Sequence, residues 1–89
     1  MKRIELDSGF IADIDENRLD DIELFDAIVE LDGGDITRLP IILNKLLGKS
    51  DKKRLYDIHR SVNGTVPTEV IVEELKAIFD AMGDSVKKS

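Results

Sequence analysis

The chain has 89 residues, of which 42% are hydrophobic and 36% charged, and it carries a net charge of −6 and no cysteine. A chain of this size forms one domain with a modest core, and the lack of cysteine excludes disulfides and thiolate chemistry. No apolar run approaches the roughly 18 residues that a membrane-spanning helix needs, so we expect a cytoplasmic protein with no membrane partner.

The N-terminal residues predict a short β-hairpin. Residues 2–6 and 10–14 alternate apolar and polar side chains, and Asp7-Ser8-Gly9 between them has the composition of a tight turn. Because a two-stranded hairpin is only marginally stable by itself, we expect it to pack on helices.

Four helices are predicted after the hairpin, each followed by a glycine. They cover about 21–32, 37–47, 50–63 and 67–82. Asp20 with Glu23 resembles a capping box, and Thr37 and Ser50 are the expected N-caps of the second and third helices. We therefore expect an α+β fold, mostly helical, in which the N-terminal β-hairpin packs on about four α-helices. A single domain would cover 1–83, and 84–89 would form a disordered C-terminal tail.

The helical spacing of apolar residues predicts which sides of the helices face the core. On the first helix a broad arc of six apolar residues is predicted to do so: Ile22, Leu24, Phe25, Ile28, Val29 and Leu31. The second helix is the most apolar and is predicted to be central. The third has a narrow apolar stripe made of Leu55, Ile58 and Val62.

No residue pattern predicts catalysis or a cofactor. His59 is the only histidine, and we expect it on the surface, where positively charged neighbours disfavour a role as base or metal ligand. The acids around Asp15 lack the central glycine and distal glutamate of a calcium loop, so we interpret them as helix-capping residues. We expect no enzyme activity, no catalytic residue and no bound metal.

The charges are unevenly distributed, and they supply candidate contact surfaces. Residues 1–35 hold 12 acids and 3 bases, whereas residues 36–61 hold 7 bases and 2 acids, so we expect partial neutralisation across the fold. Exposed stripes on three helices and one outward isoleucine are the candidate partner-binding residues: Glu23, Asp26 and Glu30; Ile41; Lys53, Tyr56 and Arg60; Val70, Ala77 and Ala81. Complementary charges of this kind favour self-association or fast, salt-sensitive encounters.

A series of soft motifs, made of acids, glycines and leucines, runs from the hairpin to the last helix. In chain order they are Gly9-Phe10, Ile14-Asp15-Glu16-Asn17, Leu19-Asp20-Asp21, Glu23-Leu24-Phe25, Asp32-Gly33-Gly34-Asp35, Leu39-Pro40, Leu46-Leu47-Gly48 and Gly64-Thr65-Val66-Pro67. In this order, over about residues 4–82, the chain resembles the small tail assembly chaperones of long-tailed, siphovirus-type phages and prophages of Gram-positive bacteria.

The resemblance implies a non-enzymatic protein that works in the cytoplasm of the bacterial host. Members of this family bind the tape measure protein and keep its long amphipathic helices soluble while tail tube subunits polymerise around it. The tail tube protein is a second candidate partner, a homo-oligomer is an open alternative, and the protein is not expected in the mature virion.

Two other functions stay open at this point. The basic segment 50–62 could bind nucleic acid, as in a small regulator, although the acidic chain and the lack of a stacking platform beside Tyr56 disfavour nucleic acid as a partner. Alternatively, the chain could be a structural tail-completion protein, which would be present in the virion.

Overall fold

A computed structural model of the chain describes residues 1–83, and the predicted C-terminal tail lies outside the described residues. The elements follow in the order β1 (Lys2–Glu5), β2 (Ile11–Ile14), α1 (Ile22–Asp32), α2 (Leu39–Ile58) and α3 (Thr68–Ala81). Two short 3-10 helices, Glu16–Leu19 and Ile36–Arg38, precede α1 and α2. The fold is mostly helical with a small N-terminal hairpin, as predicted, but it has three helices rather than about four.

The hairpin forms as the alternating sequence predicts. β1 and β2 pair antiparallel, with Ile4 opposite Ala12, and Gly9 takes a positive φ of 94° in the turn between them. The inward side chains of both strands, with Phe10 beside them, are buried against α2 and α3. The two strands are therefore stabilised by helices, as expected for a hairpin of this size.

The N-cap of α1 differs from the predicted one by a residue. The side chain of Asp21, not Asp20, accepts backbone N–H bonds from Glu23 at 2.9 Å and Leu24 at 3.3 Å. The start of α2 differs in a similar way, because Asp35 accepts the N–H of Thr37 at 3.1 Å and so caps the 3-10 turn. Thr37, the predicted N-cap, is the donor in that contact.

The predicted second and third helices are the two halves of α2, which bends at Gly48. This residue has φ 80° and ψ 166°, outside the helical range. Gly48 alone departs from helical angles, so the two halves are helical segments that meet at a kink. Arg18 Nη1 donates to the Leu46 carbonyl oxygen at 2.8 Å, next to the bend. Ser50, predicted to cap a separate helix, lies inside α2.

α2 ends at Ile58, five residues before the predicted end. The next residues fold into a turn in which the Ser61 N–H donates to the Thr65 carbonyl at 2.8 Å. The Ser61 hydroxyl also bonds to the side chain of Asn63. Such local bonds compete with the helix ladder. As a result Val62, predicted for an apolar stripe, is fully exposed.

The core lies between the hairpin, the first half of α2 and one side each of α1 and α3. Its buried residues are Ile4, Phe10, Ala12, Ile14, Leu24, Ala27, Leu39, Ile42, Leu43, Leu46, Leu47, Leu55, Ile71, Leu75, Ile78 and Met82. The first half of α2 is central, as its composition predicts. Within residues 1–83, every helix is too short or too polar to cross a bilayer.

Candidate interaction surface

α1 has apolar side chains on two opposite sides, and only one of them faces the core. Leu24 and Ala27 are buried there. In contrast, Ile22, Phe25 and Val29 are 72%, 61% and 54% exposed. The prediction that all six apolar residues of α1 face the core is therefore wrong for these three. α1 packs mainly on α2 and the 3-10 turn before it, which cover one side of the helix.

Ile22, Phe25 and Val29 form one row along the outside of α1, which we call the outer row. Their i, i+3, i+7 spacing puts them within about 60° of one another around the helix, at 100° per residue. The row extends over roughly 10 Å of helix axis. Single exposed apolar residues are ordinary on protein surfaces, but a contiguous row of large ones is typical of a contact surface.

The predicted acidic stripe, Glu23, Asp26 and Glu30, follows one edge of the outer row. Asp26 is the nearest of the three, since it is four residues from Ile22 and three from Val29. Among residues 1–83, neither Glu23 nor Asp26 forms an ion pair, so this edge of α1 keeps its negative charge.

One acid of the stripe is held within the fold. Arg38 Nε lies 2.8 Å from Glu30 Oε2 and 3.3 Å from Asp35 Oδ2. The N–H does not point well at either acceptor, so these contacts are ion pairs rather than directed hydrogen bonds. Glu30 was predicted to contact a partner. Its charge is instead partly offset by Arg38, so it contributes less to the negative field of α1 than Glu23 and Asp26 do.

A second ion pair fixes the beginning of α1 against α2. Lys45 Nζ donates to Asp21 Oδ2 at 3.1 Å, and both side chains are about one-third exposed. This hydrogen bond is the main cause of the lowered pKa of Asp21, and the N–H groups of the capped helix end add to it. Ile41 lies one turn before Lys45 on the same side of α2 and is 39% exposed, which agrees with its predicted outward position.

The predicted stripe of Lys53, Tyr56 and Arg60 is not a continuous surface. Arg60 lies beyond the end of α2 and donates to Asp57 Oδ1 at 2.9 Å and to the Gly64 carbonyl at 2.9 Å. Lys53 Nζ binds the other oxygen of Asp57 at 3.0 Å. Hydrogen bonds from Lys53 and then Arg60 lower the pKa of Asp57. Tyr56 is partly buried, and burial raises the pKa of its hydroxyl.

Arg54 is also used within the fold. Its Nη2 lies 2.8 Å from Asp51 Oδ1 and donates to the Ile11 carbonyl at 2.8 Å, and its guanidinium carbon is 5.1 Å from the centroid of the Phe10 ring. It thus joins α2 to the hairpin. Three of the four lysine and arginine side chains in the predicted nucleic-acid segment therefore contact acids within the fold, which lowers the net positive charge that the segment presents.

The predicted small-residue strip on α3 gives less surface than the outer row. Val70 is 37% exposed, whereas Ala77 and Ala81 are half-buried. Between α3 and the start of α2 lies an open apolar groove of about 330 Å³, lined by Ile36, Leu39, Pro40, Tyr56, Val66, Thr68 and Ile71. None of these lining residues carries a charge, so the groove offers no charged group to orient a ligand.

The sequence interpretation missed one polar cluster that joins three elements. His59 is half-buried, not on the open surface as predicted, and its Nε2 lies 2.6 Å from Glu74 Oε1. Ser8 in the hairpin turn donates to the same carboxylate oxygen. The carboxylate lies between hydroxyl and imidazole, so His59 is not placed to take the serine proton as nucleophilic catalysis requires. The cluster connects the hairpin turn, the end of α2 and the middle of α3.

Of the acids around Asp15 that were predicted to cap a helix, the structure shows Asp15 in that role, whereas Glu16 contacts the N-terminal ammonium group. Asp15 accepts the backbone N–H of Asn17 at 2.9 Å and so begins the 3-10 helix. In the part of the chain that the structure describes, no group of three or more His, Cys, Asp or Glu side chains is arranged to hold a metal ion. Comparisons of the chain with protein-family models, with curated proteins and with solved structures found no match.

Proposed function

We propose that this chain is a non-enzymatic tail assembly chaperone of a long-tailed phage or prophage. It binds the tape measure protein and keeps it soluble in the cytoplasm of the bacterial host while the tail tube assembles. The observation that carries the proposal is the outer row of α1, a set of large apolar side chains left in water beside unpaired acids. The ordered motifs over residues 4–82 supply the identity of the partner, through the family that they resemble.

The size of the outer row suits a partner that must later be released. Fully burying a side chain of this kind contributes about 1.5–3 kcal/mol, so three of them give at most about 9 kcal/mol. Association itself costs about 4–15 kcal/mol. Against the lower end of that cost the outer row gives weak, reversible binding, and against the upper end it needs additional contacts.

The other candidate residues have subordinate roles in this proposal. Ile41 offers an exposed apolar side chain on α2, and Val70, Ala77 and Ala81 offer a shallower contact on α3. Glu23 and Asp26 add negative charge, which speeds encounter with a basic partner and keeps the chaperone soluble. Lys53 and Arg60 contribute little to steering, because both already pair with Asp57.

Co-expression tests the proposal. The tape measure protein of the phage or prophage that encodes this chain would be expressed alone, with this chain, or with an unrelated acidic protein of similar size. The soluble fraction after centrifugation should rise only with this chain, and the two proteins should purify together. A tape measure protein that stays in the pellet under all three conditions would contradict the proposal.

A second measurement separates this function from that of a structural tail-completion protein. Mass spectrometry of purified virions should find the tape measure protein and tail tube protein but not this chain. Its recovery from virions in a fixed ratio to tail tube subunits would favour the structural alternative.

A further inference from the structure

We infer that the outer row of α1 docks a basic amphipathic helix of the partner, with lysine or arginine side chains of that helix beside Glu23 and Asp26. This inference rests on the proposed function, which takes α1 as the contact surface. It adds that the segment bound there is helical and basic.

The spacing of the outer row indicates a helical partner. Ile22, Phe25 and Val29 occupy successive a, d and a positions of a heptad, the pattern by which two helices pack side by side. Leu24 and Ala27 on the opposite side are already buried in the core. A partner helix can therefore add to α1 without any rearrangement of the fold, and α1 would lie between the core and the bound helix.

The charge of α1 indicates that the partner helix is basic. The helix carries four acids, Glu23, Asp26, Glu30 and Asp32, and no base. Of these four acids, only Glu30 forms an ion pair within the described residues. Asp26 occupies the position next to the apolar seam where charged residues select the partner of a coiled coil. A lysine or arginine across the seam would offset this unpaired charge.

The same charges disfavour a second copy of this chain as the occupant. In a symmetric pair of α1 helices, the outer rows would meet and Asp26 of each copy would approach acids of the other. Like charges at these positions destabilise a helix pair. An acidic amphipathic helix from another protein is disfavoured for the same reason, so apolar complementarity alone does not select the partner.

Two designed peptides test the inference directly on the full chain. Each is a fluorescein-labelled helix of three heptads with leucine at the a and d positions. One has lysine and the other glutamate at the e and g positions. Fluorescence anisotropy at about 50 mM salt should show binding of the lysine peptide and at least about tenfold weaker binding of the glutamate peptide. Raising the salt to about 300 mM should weaken binding of the lysine peptide.

Matched variants locate the contact. Val29→Ser lies in the outer row, whereas Val62→Ser removes the same exposed side chain from a loop outside it. Binding of the lysine peptide should fall about tenfold for Val29→Ser and Phe25→Ser and stay within about twofold for Val62→Ser. Asp26→Lys should weaken binding more than Asp80→Lys, the same charge change on α3. Because all these residues are exposed, the variants should fold, which circular dichroism checks.

Three outcomes overturn the inference. They are equal binding of both peptides, equal effects of Val29→Ser and Val62→Ser, and a dimer seen by sedimentation velocity that Phe25→Ser abolishes. The peptide experiment tests this inference, and the co-expression experiment tests the proposed function, so each claim can be wrong without the other. If the tape measure protein is solubilised but the lysine peptide does not bind α1, the inference is wrong and the proposed function stands. If the peptide binds but the tape measure protein stays insoluble, the proposed function is wrong.

Discussion

The acidic helix α1 and the basic second half of α2 both carry exposed charged side chains, but they differ in how much of that charge is paired within the fold. On α2, Lys53 pairs with Asp57 and Arg54 with Asp51, each within one helical turn. α1 holds acids only, and among residues 1–83 just Glu30 has an ion-pair partner. The charges of α1 are therefore less offset by neighbouring opposite charges than those of α2.

The two sides of α1 provide the strongest test of this contrast. Leu24 is 1% exposed and Phe25 next to it is 61% exposed. Leu24→Ala should lower the free energy of unfolding by about 2–5 kcal/mol, because it leaves a cavity in the core. Phe25→Ala should change it by no more than about 0.5–1 kcal/mol. Urea unfolding followed by circular dichroism measures both. Similar losses would mean that Phe25 is packed, and the outer row would no longer be a free surface.

The bend at Gly48 sets where the basic half of α2 lies relative to the apolar half. Gly48→Ala should destabilise the fold by about 1–3 kcal/mol, because its φ of 80° and ψ of 166° suit glycine almost exclusively. No atom lies within 4 Å of an added Cβ, so the loss would come from the backbone alone. Gly33→Ala is the control, since Gly33 has φ −77° and ψ 0° and should tolerate alanine. Thermal unfolding of both variants would show whether only Gly48 is sensitive.

The pair of Asp21 and Lys45 should give a smaller effect that depends on pH. The hydrogen bond from Lys45 lowers the pKa of Asp21 in the folded state below the ordinary value of 3.8. Its contribution is thus complete above pH 3.8 and is lost as the pH falls through the lower folded-state pKa. Asp21→Asn should be less stable than the wild type at pH 7, and the difference should shrink in strongly acid solution. Asp20→Asn is the control, because Asp20 forms no ion pair within residues 1–83, and denaturant unfolding at pH 7 should show little loss of stability for it.

The smallest expected effect comes from removing the acids that form ion pairs with the lysine and arginine side chains in and just after α2. The double variant Asp51→Asn and Asp57→Asn removes the acids that hold Lys53, Arg54 and Arg60. It should elute from a heparin column at higher salt than the wild type, because these bases could then contact sulfate groups. The double variant Asp13→Asn and Asp80→Asn changes the net charge by the same amount and is the control. Equal shifts for both double variants would show that net charge, not local pairing, limits the basic segment.

Much of the fold could be predicted because it follows from local patterns. The period of two in residues 2–14 predicts the hairpin, and the apolar composition of residues 37–47 predicts a central helix. The predicted stripe of Leu55, Ile58 and Val62 is right only for Leu55. The break after Leu47 was also predicted correctly in position. However, the sequence pattern predicted a helix end at Gly48 and a new cap at Ser50, and it could not show that Gly48 alone departs from helical angles.

The candidate site was harder to predict because periodicity does not say what covers a helix. Six apolar residues on α1 suggested that one broad side of the helix faces the core. The neighbouring helix covers only part of that side, and Phe25 remains exposed to solvent. The acidic stripe was predicted, although the pairing of Glu30 with Arg38 was not. The contact of His59 with Glu74 was missed because its partner lies on another helix, and no local pattern indicates such a contact.

The cluster of Ser8, His59 and Glu74 has a consequence for synthesis on the ribosome. Ser8 and Glu74 are separated by 66 positions along the chain. The hairpin leaves the exit tunnel early, but its turn cannot be anchored until the carboxylate on α3 has also emerged. Such long-range closure delays folding relative to contacts between near neighbours. The hairpin turn should therefore reach its final arrangement only after residue 74 has left the tunnel.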